Sequence, residues 1–306
     1  MKKEKILIGS RGSKLALIYA QNVKNKILEN SELNPDQITI KVIITEGDRV
    51  KDKRLSEIGG KGLFSKNIEK ELIDEKIDIA VHALKDMPAV ETKSLLSNFF
   101  LKRNDPREIL ISRDKRKLKD LSKKSIVGTS SYRREYQIKR LKNDISCKSI
   151  RGNVDTRLNK LKEGFYDAII LSSAGIKSLE LENEITQIFL TNEIIPSAGQ
   201  GIICMQCKEN NEEIIKLLNK INDADTFKCA IAERDILKIL EGDCETAVGA
   251  HAVLKDNKII LESELFSLDG SQRFYEKMEM EAQDFDKIGI KIGKNLKKKS
   301  KGNYKK

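Results

Sequence analysis

Short apolar runs, Gly-rich turns and charged amphipathic stretches alternate along most of the chain. Ile6-Leu7-Ile8 reads as a buried strand and Gly9-Ser10-Arg11-Gly12 as the turn that follows it. A helix opens at Ser13, with Ala16, Ala20, Val23 and Ile27 on one stripe. Residues 38–44 form a second strand. Residues 45–62 are polar, hold four glycines and predict a long loop. A helix is expected over 65–76, and Ile77-Asp78-Ile79-Ala80-Val81 is a buried strand running into Lys85-Asp86-Met87-Pro88. The rhythm resumes after Asp105-Pro106, with a strand at Ile126-Val127, a turn over 128–131 and a helix from Tyr132. Lys148-Ser149-Ile150 then leads to Arg151-Gly152-Asn153, a helix through Leu161 and a strand over 168–171. Near residue 221 the pattern changes to a helix over 225–240, strand-like stretches at 249–254 and 258–266, and an amphipathic segment from Asp284. Strand–turn–helix alternation of this kind predicts an α/β fold, and 306 residues suffice for two or three domains.

The net charge of +11 suggests nucleic acid until it is located. Residues 287–306 hold nine lysines and no acidic residue, which leaves about +2 for the rest of the chain. The lysine run reads as a solvated face or frayed end, with contact to RNA or another acidic surface as the alternative. Aromatic residues make up 5% and Trp is absent, so a surface of stacking platforms for bases is not expected. Arg11 and Lys14 interrupt the apolar N-terminal stretch that a signal peptide needs, and no apolar run approaches the ~20 residues of a membrane span. A cytoplasmic protein with no membrane partner is expected. The five cysteines, 147, 204, 207, 229 and 244, are expected to be reduced. Cys204-Met205-Gln206-Cys207 continues a strand, which sends its two thiols to opposite faces. That favours buried thiols over a zinc or redox pair, and no metal is expected.

Three turns share one chemistry: Gly9-Ser10-Arg11-Gly12-Ser13, Gly128-Thr129-Ser130-Ser131-Tyr132-Arg133-Arg134, and Arg151-Gly152-Asn153-Val154-Asp155-Thr156-Arg157. Each follows a strand, opens a helix and carries Arg. Free N–H groups and the helix dipole attract anions, and a guanidinium grips a carboxylate at two points. Helix caps use the same Ser, Thr and Asn for stability alone. Neither GxxxxGK[ST] nor GxGxxG appears, so several separated carboxylates fit the dispersed arginines better than a phosphate cluster does. Asp86, at a strand's carboxyl end, is either a turn residue paired with Lys85 or a carboxylate facing that anion site. His82 reads as a core histidine. Cys244, in Leu240-Glu241-Gly242-Asp243-Cys244-Glu245-Thr246, lies on a loop, where a thiol can react.

Taken with Gly59-Gly60-Lys61-Gly62-Leu63-Phe64, Asp105-Pro106-Arg107 and Ala198-Gly199-Gln200-Gly201, these stretches resemble the porphobilinogen deaminase (hydroxymethylbilane synthase) family in order and spacing from residue 6 to about 250. The resemblance implies an α/β fold of three domains. The first two are periplasmic-binding-protein-like with a cleft between them, and the third is a small α+β domain. The implied boundaries are 1–100 plus 195–217, 105–192, and 221–306. The implied activity is head-to-tail condensation of four porphobilinogen molecules into hydroxymethylbilane with loss of ammonia, in tetrapyrrole (heme) biosynthesis. The chain grows on a dipyrromethane cofactor held by a thioether to Cys244. Asp86 is implied as the catalytic carboxylate. Lys85, Thr129, Ser131, Arg133, Arg134 and Gly152 are implied to hold the cofactor, and Arg11, Ser13, Arg151, Arg157, Lys61 and Phe64 to meet substrate. Porphobilinogen is the expected small-molecule partner of a monomer, with no nucleic acid. The alternative is a non-enzymatic two-lobed polycarboxylate-binding protein. Asp243 and Ser178 depart from the family pattern, which often has Gly and Arg there.

Overall fold

The computed structural model describes residues 5–49, 62–241 and 246–305. In chain order its elements begin with β1 (Ile6–Ser10), α1 (Lys14–Glu29), β2 (Ile38–Val42), a short α2 (Glu46–Arg49), α3 (Lys66–Ile73), β3 (Ile79–Ala83), β4 (Leu95–Phe100) and β5 (Glu108–Ser112). They continue with β6 (Ile126–Gly128), α4 (Tyr132–Leu141), β7 (Ser146–Lys148), α5 (Val154–Lys162), β8 (Ala168–Ser172), α6 (Ser173–Ser178), β9 (Gln187–Ile188) and β10 (Ile203–Lys208). Last come α7 (Glu212–Ile221), α8 (Ala224–Leu240), β11 (Val248–Lys255), β12 (Lys258–Phe266), β13 (Arg273–Glu281) and α9 (Phe285–Ser300). The described residues form two compact units. One holds 5–49, 62–104 and 202–228; the other holds 105–201, 229–241 and 246–305.

The first unit is built on a five-stranded sheet ordered β2-β1-β3-β10-β4. β1 runs parallel to β2 and β3, and β10 is antiparallel to both of its neighbours. α1 buries Tyr19, Ala20, Val23 and Ile27 on one face, with Ile214, Leu218 and Ile221 of α7 beside them. On the other face, Ile68 and Leu72 of α3 pack with Ile43, Ile77 and Ala80. Coverage of both faces explains why β3 reads as a continuous apolar run rather than an alternating one. Cys204 and Cys207 are both buried on β10. The Cys207 side chain sits in the α1 cluster, while the Cys204 thiol donates to the Ser97 carbonyl at 3.4 Å.

In the second unit a five-stranded sheet ordered β7-β6-β8-β5-β9 repeats the pattern. β6 is parallel to β7 and β8, and β5 is antiparallel to β8 and β9. Strand for strand, β6, β7, β8 and β5 occupy the places of β1, β2, β3 and β10. The same unit carries an antiparallel meander, β11-β12-β13. Its apolar face packs with Ala232, Ile236 and Leu240 of α8 and Ile288, Ile292 and Leu296 of α9. This is the mixed α/β architecture expected, with two like sheets and a smaller third one with its own helices.

One expectation changes. Residues 195–201, grouped on sequence with the first domain, pack in the second unit. There the Ile195 carbonyl accepts from Arg133 and Gln137, and the Gly199 N–H donates to Glu233. Of the two readings of the lysine-rich end, the structure shows the solvated face: α9 is a regular helix whose Ile288, Ile292 and Leu296 are fully buried. Its lysines occupy the outward positions, so one helix provides both a core stripe and a charged face.

Candidate active site

In the first unit, the turn after β1 and the turn after β3 lie at the same, carboxyl end of two adjacent parallel strands. Ser13 caps α1 by accepting the Ala16 N–H at 3.3 Å, and the buried Ser10 hydroxyl donates to the Ala16 carbonyl at 3.0 Å. These bonds fix the backbone on either side of Arg11. The Arg11 guanidinium lies 4.0 Å from the centroid of the Phe64 ring, a geometry that orients a cation without neutralising it. Phe64 fits there because position 47 is glycine: a Cβ on Gly47 would fall 2.2 Å from a Phe64 ring carbon. Residues 84–86 form a single 3-10 turn after β3. The Leu84 N–H donates to the Ile202 carbonyl at 3.0 Å and the Met87 N–H to the Leu84 carbonyl at 3.0 Å. Leu84 and Met87 are buried, Lys85 is half-buried and Asp86 is exposed. Behind them His82 is a buried core histidine. Burial is the main cause that pushes its pKa down to about 4, Gln206 opposes the shift and the Arg11 charge adds to it.

In the second unit the two remaining basic turns come together, because β6 and β7 are adjacent and parallel. The Ser130 hydroxyl donates to the Ile150 carbonyl at 2.6 Å and accepts the Ile150 N–H at 3.1 Å, and the Thr129 N–H donates to the Lys148 carbonyl at 2.9 Å. Ser131 caps α4 by accepting the Arg134 N–H. Gly152 has φ +114°, a conformation that penalises any side chain, and a Cβ there would lie 2.7 Å from Thr156. Its carbonyl accepts the Arg157 Nε–H at 2.8 Å, folding that side chain over the turn.

Arg133 and Arg134, expected to hold the cofactor's side chains, are only 5% and 8% exposed and both reach Glu108, which is fully buried. Arg133 pairs with it at 2.6 Å and Arg134 at 2.9 Å. Arg133 also donates to the Ile195 carbonyl at 2.9 Å. Burial pushes the Arg133 pKa down while the Glu108 charge pushes it back up. Arg134 keeps one buried donor, Nε, without a partner. Sequence reasoning assigned no role to Glu108, although a single acidic residue opening the apolar run Ile109-Leu110-Ile111 was the available signal. It also assigned none to Asp105, whose carboxylate accepts from Arg107 at 2.8 Å, Lys177 at 2.9 Å and Ser173 at 3.0 Å. These hydrogen bonds outweigh its burial and hold its pKa well below the usual carboxylate range. Lys61 and Cys244 lie outside the described residues.

Two like α/β sheets carry basic, serine-capped turns at the carboxyl ends of their strands, an arrangement that suits anionic ligands. The family model "Porphobilinogen deaminase, dipyromethane cofactor binding domain" matches residues 6–216, and "Porphobilinogen deaminase, C-terminal domain" matches residues 227–298. A porphobilinogen deaminase of Alkaliphilus metalliredigens is 38% identical over 95% of this chain and 92% of the relative. One of Brevibacillus brevis is 41% identical over 94% and 93%. Among solved structures, the periplasmic aliphatic sulphonate binding protein SsuA from Escherichia coli aligns over 77% of this chain and 70% of its own, at 15% identity and a TM-score of 0.41. The chain belongs to the porphobilinogen deaminase family.

Proposed function

We propose that this protein is a hydroxymethylbilane synthase, condensing four porphobilinogen molecules head to tail with release of ammonia. The observation that carries the reading is the exposed Asp86 carboxylate at the same strand-end edge as the Arg11–Ser13 turn. A polyanionic substrate needs cationic grips, and a reaction that develops positive charge on a pyrrole needs one carboxylate among them. The residues fit a dipyrromethane cofactor, whose two rings carry four carboxylates between them. Arg134 has a buried donor still unpartnered, and Thr129, Ser131 and Gly152 line helix starts where N–H groups favour anions. When bound, that cofactor supplies the pyrrole carbon to which new units are joined.

Asp86 stabilises the electron-poor pyrrole left when ammonia departs and accepts from pyrrole N–H groups. Once bound substrate covers the carboxylate and excludes water, this is worth several kcal/mol, on the order of a hundredfold or more in rate. Arg11, Ser13, Arg151 and Arg157 orient the acetate and propionate groups of substrate, with Lys61 and Phe64 at its border, and Lys85 joins the cofactor's grip. Cys244 is the covalent anchor. The protein works as a cytoplasmic monomer. Among the described residues no helix is long and apolar enough to cross a membrane.

The test is intact-protein mass spectrometry. The purified protein should weigh more than its sequence by two linked pyrrole units and gain further units on addition of porphobilinogen. Asp86→Ala should keep the adduct and turn over at least a hundredfold more slowly. A protein with the bare sequence mass that never gains units would refute the assignment.

A further inference from the structure

At the end of the second sheet opposite its basic turns, the starts of β6 and β8 meet the end of β5. Ser125 precedes β6, Asp167 precedes β8, and Ser112 closes β5 opposite Ala168. A cavity of about 210 Å³ opens there, large enough to admit a phosphate group with water around it. Its walls hold three cations, Arg116, Lys123 and Lys124, and three serines, Ser112, Ser122 and Ser125. Ser112 and Ser125 are 2% and 8% exposed. The Ser112 hydroxyl accepts the Arg116 N–H at 2.8 Å, which leaves its own proton to donate. The Ser125 backbone is engaged on both sides, its N–H with the Ser122 carbonyl at 3.1 Å and its carbonyl with the Ser146 N–H at 2.9 Å. Its hydroxyl has no hydrogen-bond partner among the described residues and lines the cavity as a free donor. The Arg116 guanidinium donates to the Ser122 hydroxyl at 3.4 Å. Two carboxylates, Asp114 and Asp167, also line the cavity, and both are engaged. Arg113 lies 3.8 Å from Asp114 and 3.3 Å from Asp167, whose second oxygen accepts the Ile126 N–H at 2.8 Å. Asp144, whose carbonyl accepts the Lys124 N–H at 2.6 Å, pairs with Lys142 at 2.9 Å. With Arg113 included, four cations stand against two carboxylates, a surplus of two positive charges.

We propose that this cavity binds a phosphate group, as inorganic phosphate or a small phosphomonoester, at the end of the sheet opposite the turns assigned to substrate. Such a group carries a charge of about −1.5 to −2 at neutral pH, which matches the surplus. Lysine serves the dianion as a point charge, Arg116 adds a guanidinium fork, and the two buried serines supply directional O–H donors. A single carboxylate suits the fork but brings one charge and two oxygens, which leaves the lysines uncompensated. Ser125 and Thr129 are four residue steps apart, about 13 Å along β6, so occupancy here neither requires nor blocks the activity proposed above.

The test is isothermal titration calorimetry of the full-length protein with inorganic phosphate at constant ionic strength. One saturable site is expected, and the thermal midpoint should rise with phosphate as that site fills. Arg116→Gln should weaken binding about tenfold or more, the size of one charge-assisted hydrogen bond. Ser125→Ala should weaken it about three- to tenfold. Should Ser125→Ala fail to fold, Arg116→Gln, at an exposed position, carries the test alone. Arg151→Gln, at the other end of the sheet, should leave the affinity within about twofold. Citrate at equal ionic strength should not displace phosphate. Glycerol phosphate that competes places the ester within reach of the site; if only the free ion binds, the ligand is inorganic phosphate. Absence of saturable binding, or a site lost in Arg151→Gln and kept in Arg116→Gln, overturns the proposal. So does citrate binding as tightly as phosphate, which would make the cavity a general anion patch.

Discussion

Replacing Glu108 with Gln should destabilise the second unit by about 3–5 kcal/mol. The carboxylate has no solvent exposure, and two guanidiniums, 5% and 8% exposed, reach it at 2.6 and 2.9 Å. Gln preserves the volume but leaves two buried cations facing a neutral amide. Their remaining backbone bonds, Arg133 to the Ile195 carbonyl and Arg134 to the Ile170 carbonyl, orient them without supplying counter-charge. With a urea dependence of about 2 kcal/mol per molar, the unfolding midpoint should fall by about 1.5–2.5 M. The chain has no Trp, so far-ultraviolet circular dichroism is the suitable signal. A second variant, Glu108→Gln with Arg133→Met, removes one of the stranded cations and should recover a substantial part of the loss. A midpoint for Glu108→Gln within about 0.3 M of the parent, or a double variant worse than the sum of its parts, would refute the view that Glu108 balances these arginines.

Protonation of His82 should make the first unit less stable in mild acid. Its folded pKa of about 4 lies below the ordinary 6.5, so the unfolded chain binds the proton first. Stability is full above pH 6.5 and falls toward pH 4 by up to about 3 kcal/mol. Thermal midpoints of His82→Gln should show a shallower fall than the parent's over that range, and parallel curves would show that His82 does not contribute. Gly289→Ala should cost about 1–3 kcal/mol in thermal unfolding, because its Cβ would lie 2.1 Å from the Ala232 carbonyl oxygen and force α8 and α9 apart. Iodoacetamide at pH 8 should leave Cys204, Cys207 and Cys229 of the native protein unlabelled on peptide mapping. All three are buried, and burial pushes the Cys207 thiol up to about 12.

What could be read in the sequence was local. The turn over 9–13 and the turns around 128–134 and 151–157 announce themselves by residue type and spacing, and the parallel pairing of β6 with β7 then sets two of them side by side. Strands that lack a local signature escaped. β9 is two residues long, and β4 mixes buried Leu95 and Phe100 with half-buried Leu96 and Asn98. β13 alternates exposed and half-buried positions beneath a run of charges. In α9 the spacing of Ile288, Ile292 and Leu296 carries the amphipathic reading from Asp284, and it marks a buried stripe.

The site was harder to read for a different reason. An arginine beside a serine-capped turn looks the same in sequence whether it meets a ligand or an internal carboxylate, and the difference is made by residues far along the chain. Glu108 lies 25 residues from Arg133, and Asp105 lies 72 from Lys177. Without those two acids, the end of β8 would bring Arg107, Arg133, Arg134 and Lys177 together without their directly bonded counter-charges, and mutual repulsion would oppose folding. Internal carboxylates therefore let a cationic edge exist in the empty protein. Substitutions at Glu108 or Asp105 should then alter folding first and ligand binding only through it, whereas substitutions at Arg151 or Arg157 should do the reverse.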